Sequence, residues 1–127
     1  MLLLHSQHDA HSRYSHYLAE IVRLEGFADF GEAELATLEP AILAQHDLVI
    51  LPRLSPTGEE ADRLADYVRN GGRLLALMPD AHFARRFGVT PTWRAVDNGW
   101  LHADAGAPML CGLCCEAVQI VTPALGR

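Results

Sequence analysis

Leu48-Val49-Ile50-Leu51 is a run of four apolar residues closed by Pro52, and the succession that follows it constrains the chain more than any other feature. After Ser55-Pro56 comes Thr57-Gly58-Glu59-Glu60, with Thr57 and Glu60 at the spacing of a capping box, and then Ala61, Leu64, Ala65 and Val68 on one helical face. Asn70-Gly71-Gly72 stops that helix, because Gly enters the left-handed conformation of a C-cap without steric cost. A second apolar run, Arg73 to Met78, is stopped in turn by Pro79-Asp80. A strand, a two-faced helix and another strand joined by short turns make a βαβ unit. Such units call for a parallel sheet with helices over its faces.

The rest of the chain extends this pattern. Leu2-Leu3-Leu4 ends in polar His5-Ser6-Gln7 and reads as a buried first strand. Tyr14, Leu18, Ile21 and Val22 then fall at helical spacing, with Ser12 or Ser15 as the cap and Gly26 as the stop, which predicts a helix from about Arg13 to Glu25. Phe27 to Phe30 reads as a second strand, and Leu35 to Ala44 as a brief helix with Pro40 inside its first turns. Beyond Asp80, His82 to Phe87 is expected to form one or two helical turns. Trp100 to Ala103 and Ala117 to Val121 read as strands added antiparallel at an edge. The expected class is therefore α/β, with a mostly parallel sheet, helices on both faces and right-handed crossovers. At 127 residues, one domain spanning 1–127 is the expectation.

Composition removes several function classes. The net charge is -6, the ten basic residues are all Arg, and only Arg85-Arg86 makes a local pair. Binding to a phosphate backbone depends on clustered cations that release counterions, so nucleic acid is not expected as a partner. The longest apolar runs fall well short of the roughly 20 residues of a membrane-spanning helix. No secretory signal is readable at the N-terminus, so the cytoplasm is the expected compartment. Cys111, Cys114 and Cys115 are odd in number and crowded together, which fits reduced thiols better than a disulfide framework.

Three segments taken in order resemble a known group: Tyr17-Leu18-Ala19-Glu20-Ile21 with Leu24-Glu25-Gly26-Phe27, then His46 to Leu51, then Tyr67-Val68-Arg69-Asn70-Gly71-Gly72-Arg73-Leu74-Leu75-Ala76-Leu77. From about Tyr14 to Asp80 the chain is similar to the class I glutamine amidotransferase-like superfamily, among them the trehalose-utilisation-like and β-galactosidase trimerisation-like domains. The resemblance implies a flavodoxin-like three-layer sandwich. For catalytic members it also implies a Cys nucleophile on the tight turn after the strand equivalent to Leu74 to Met78. Here that turn reads Met78-Pro79-Asp80, so the catalytic Cys is missing. Where catalytic members shape an oxyanion hole with glycines after the third strand, this chain has Pro52-Arg53-Leu54. The resemblance thus implies a domain without catalytic residues, used for ligand binding or assembly, as a homo-oligomer or as a module of a larger protein.

In open α/β sheets ligands bind beyond the carboxyl ends of the strands. That rule selects His5, Ser6, Gln7 and His8 after the first strand, Arg53 after the third, and Asp80 with His82 after the fourth, while His11 belongs to the same histidine-rich stretch, His5 to His16. Imidazoles with a carboxylate are the ligand set of zinc and similar divalent ions, so His8, His11, Asp80 and His82 define a possible metal site and, with it, an alternative reading as a metal-assisted hydrolase or sugar-processing enzyme. The competing reading makes them solvated loop residues, and no zinc-type spacing such as HExxH favours the metal. Arg53 and backbone amides on the same rim would suit a small anion or sugar. Asp9, His11 and Ser12 do not make a hydrolase triad, since adjacency in sequence is not triad geometry and no GxSxG elbow exists. Cys111 and Cys114 have CxxC spacing but no strand-to-helix setting for a redox site, and packing is expected for them. Burial is likewise expected for Trp93 and Trp100.

Overall fold

The computed structural model describes residues 1–90, 92, 98–102 and 117–119. The chain divides into two compact units, Met1–Pro91 and Thr92–Arg127. In the first, four strands form one parallel sheet: β1 (Leu2–His5), β2 (Gly31–Glu34), β3 (Leu48–Leu51) and β4 (Arg73–Ala76), in the order β2-β1-β3-β4. The helices between them are α1 (Arg13–Leu24), α2 (Pro40–Leu43) and α3 (Gly58–Arg69), with α4 (Ala81–Arg85) after β4. This is the α/β, flavodoxin-like arrangement of a parallel sheet between helical layers.

Alternation along the strands sends side chains to opposite faces. Leu2, Leu4, Val49 and Leu51 point to one side. There they pack with Leu64 and Tyr67 of α3, Leu43 of α2 and Phe83 of α4. Leu3 and Ile50 point to the other side, against Ala19 and Leu18 of α1. Each fully buried Leu contributes about 1.5–3 kcal/mol relative to exposure, and the first face carries most of them.

Local chemistry explains the best-defined helix. Thr57 accepts from the Glu60 amide while Glu60 accepts from the Thr57 amide, so the expected capping box is complete. At the other end, Gly71 has φ +95°. Gly72 is held for a different reason: a Cβ there would sit 2.2 Å from the Tyr67 ring. The Tyr67 hydroxyl donates to the His46 carbonyl at 2.7 Å, tying the end of α3 to the lead-in of β3.

Several sequence expectations need correction. The second strand is Gly31–Glu34 and not Phe27 to Phe30, because the chain pairs in register from Leu2↔Gly31 to His5↔Glu34 and packs Phe30 beside Leu3. The single helix expected over Leu35 to Ala44 is two pieces, a 3-10 turn at Leu35–Thr37 and α2. Pro40 has no amide hydrogen to donate and so opens a new helix at its first position. Neither serine caps α1: Ser12 stands at the N-cap with no side-chain bond, and Ser15 is buried with its Oγ unpartnered.

Within the second unit, β5 (Trp100–Leu101) and β6 (Val118–Gln119) pair antiparallel with each other as a two-stranded sheet. Trp100 is 61% exposed, against the expectation of burial. Trp93, Cys111, Cys114 and Cys115 lie outside the described residues. No helix among the described residues is long and apolar enough to cross a membrane.

Candidate functional site at the switch point of the sheet

The strand order makes β1 and β3 neighbours whose connections leave in opposite directions, β1 through α1 to β2 and β3 through α3 to β4. Beyond their carboxyl ends lies the crevice where doubly wound sheets bind ligands. Its two walls are the loop from Ser6 to Ser12 and the loop from Pro52 to Thr57.

Asp9 joins those walls. One of its carboxylate oxygens accepts from the His11 amide at 2.7 Å and lies 3.2 Å from His11 Nδ1, and the other accepts from the Ser55 amide at 2.9 Å. Burial works to raise the Asp9 pKa, but the hydrogen bonds from His11 and Ser55 stabilise the anion more, and the net direction is below the ordinary carboxylate value. An ionised carboxylate only accepts, so the contact to His11 requires a proton on Nδ1. In a neutral His11 the other ring nitrogen, Nε2, is then left with a free lone pair.

An aromatic ring gathers charge beside this dyad. His11 stacks on Tyr14 at 6.0 Å between centroids and 25° between planes. The Arg13 guanidinium stands 5.2 Å and that of Arg53 5.9 Å from the centre of the same ring. Contacts of this kind at exposed positions stabilise by about 0.5–1 kcal/mol and leave the guanidinium donors free for an incoming anion. The rim therefore offers an oriented imidazole and two cations beside an aromatic plate.

Of the residues selected from sequence, the structure gathers His11 and Arg53 around Tyr14. His5 is engaged elsewhere: its Nδ1 lies 3.1 Å from Glu34, which also accepts from the Gln7 amide. The His8 side chain is exposed, and its amide donates to Ser6 at 3.4 Å. Asp80 caps α4 by accepting from the Phe83 amide at 2.8 Å, and His82 is exposed within that helix. Among the described residues no three His, Cys, Asp or Glu side chains come together as a metal-binding group, so His8, His11, Asp80 and His82 do not form one. Asp9, Arg13 and Tyr14 are rim residues that sequence reasoning did not select. Asp9 was legible only as a neighbour of His11, because its second partner is 46 residues away.

At the end of β4, Met78 adopts φ +50°, a left-handed conformation that an L-residue with a side chain enters at a cost of roughly 1–2 kcal/mol. Its side chain is 71% exposed, beside Pro79 and the capping Asp80. No family model, no curated protein and no solved structure matches this chain.

Proposed function

We propose that this chain is a glutamine amidotransferase-like domain that does not hydrolyse amides and serves instead to bind a small polar ligand in the crevice between β1 and β3. The observation that carries this reading is the turn after β4. A strained, outward-facing position is kept there, but Met78 fills it with a thioether, which has no proton to lose and cannot act as the attacking thiolate. The rim at the carboxyl ends of β1 and β3 supports binding: Asp9 fixes both loops and the orientation of His11, while Arg13 and Arg53 stand over Tyr14. Pre-ordered walls reduce the entropy that a ligand must offset. Ammonia release from glutamine, followed with the purified protein, is expected to stay at the buffer background. Turnover above that background would overturn the proposal.

Assembly is a second reading, favoured by one observation. Tyr17, Ile21 and Leu24 of α1, together with Phe27, stand more than half exposed in a molecule whose other helices bury their large apolar residues more fully. Sedimentation velocity separates the readings: a monomer at all accessible concentrations removes self-assembly.

A further inference from the structure

A cavity of about 780 Å³ lies at the opposite pole of the sheet from the rim, where β3 and β4 begin and α2 and α3 end. We propose that it is a second ligand site, independent of the switch-point crevice, and that it takes a small hydroxylated oxyanion of the sugar-phosphate class.

The charge pattern points to the oxyanion. Arg63 and Arg73 both line the cavity. Carboxylates pair with Arg23, Arg69 and Arg86, whereas Arg63 and Arg73, like Arg13, Arg53 and Arg85, hold none among the described residues; of these five, Arg63 and Arg73 line the cavity. Arg63 Nε is moreover buried with no hydrogen-bond partner among the described residues, as is Arg86 Nε elsewhere, an arrangement that leaves a charge-assisted donor unused. Of the two carboxylates on the lining, Asp66 is engaged by Arg69, which leaves Asp47 facing two guanidiniums. Two guanidiniums at one cavity suit the oxygens of a phosphate, which their planar forks bind in pairs.

The size and the remaining walls point to the hydroxyls. The volume is far more than an inorganic phosphate fills and falls in the range of small-molecule sites. Asp47 supplies a carboxylate acceptor and Asn70 an amide with both donor and acceptor, which are groups that pair with sugar hydroxyls. The wall between them is preformed. Tyr67 lies against Gly72 so closely that no Cβ fits, and its hydroxyl is held by the His46 carbonyl. That wall needs no ordering when a ligand arrives.

Calorimetric titration of the whole chain with glucose 6-phosphate tests this, with glucose and inorganic phosphate as comparison probes. Saturable binding is expected for the sugar phosphate, none for glucose, and at least roughly tenfold weaker binding for phosphate alone. Arg73→Gln and Arg63→Gln are each expected to weaken the sugar phosphate by roughly tenfold or more, which is the usual loss of a hydrogen bond to a charged group. Arg73 is exposed, so its variant keeps the test decisive if Arg63→Gln perturbs folding. Arg85→Gln, on the exposed surface of α4, is expected to leave binding unchanged. The proposal is overturned by the absence of saturation at concentrations up to about 10 mM, by glucose binding as well as its phosphate, or by an equal loss in Arg85→Gln. Phosphate binding as tightly as the sugar phosphate would overturn it too, leaving an adventitious ion only.

Discussion

Helices α1 and α3 are each twelve residues long and each carries an apolar stripe, yet the sheet absorbs only one of them. α3 buries Ala61, Leu64, Ala65 and Tyr67 and starts with a complete capping box. α1 buries only Ser15 and Ala19, lacks a side-chain cap, and leaves Tyr17, Ile21 and Leu24 more than half exposed. The difference lies in what stands opposite. α3 meets Leu2, Leu4, Val49 and Leu51 with α2 and α4 contributing at its sides, whereas α1 meets little more than Leu3, Ile50, Leu48 and Phe30. Amphipathicity states that a helix has a face to cover, and the partner layer decides how much of it is covered.

The contrast breaks most sharply at Leu64, which has no exposed surface. Leu64→Ala is expected to lose about 2–5 kcal/mol in a urea titration, while Leu24→Ala on α1 should stay within about 0.5 kcal/mol of the parent. Similar losses in both would mean that α1 is covered after all. Gly72→Ala, just past α3, is expected to cost about 1–3 kcal/mol, because the new methyl displaces the Tyr67 ring. Parent-like stability there would show that the ring has room to move. At the helix starts, Thr57→Ala should lose about 1 kcal/mol and Ser12→Ala much less, since only Thr57 makes a capping bond. Equal melting temperatures for the two variants would remove the capping distinction.

The smallest expected effect is confined to acid. Asp9 titrates below its unfolded value, about 3.9, so the unfolded chain takes up the proton first. The stability Asp9 confers is therefore present above that value and is lost as pH falls through the lower, folded one. Asp9→Asn should flatten this part of the stability curve below about pH 5, and an unchanged slope would argue against the bonds that Asp9 makes to the two loops.

The contrast also explains what could be read from the residues alone. β1, β3 and α3 are legible because burial on one or both faces writes continuous apolar runs, and because a capping box is a local signal. β2 is not: Gly31-Glu32-Ala33-Glu34 has little strand propensity, and its pairing with β1 alone makes it a strand. At Gly31 an added Cβ would lie 3.1 Å from the Leu2 side chain, so even its glycine answers to a neighbour remote in sequence. The carboxyl-end rule points to Arg53 and the clustering of histidines to His11, but neither points to the Tyr14 ring that both approach. The polar cavity was illegible for the same reason, since Arg63, Arg73 and His46 become neighbours only through the packing of α3 on β3 and β4.

The two bonds that Asp9 accepts come from amides on loops with separate connectivity. The two protons meet different oxygens of one carboxylate, so a rotation of the Asp9 side chain frees both amides together, and exchange with deuterium on a common timescale is expected where that rotation is the opening step. A single proton arriving from solvent neutralises that carboxylate and weakens both bonds at once, which couples the two walls of the crevice to acid.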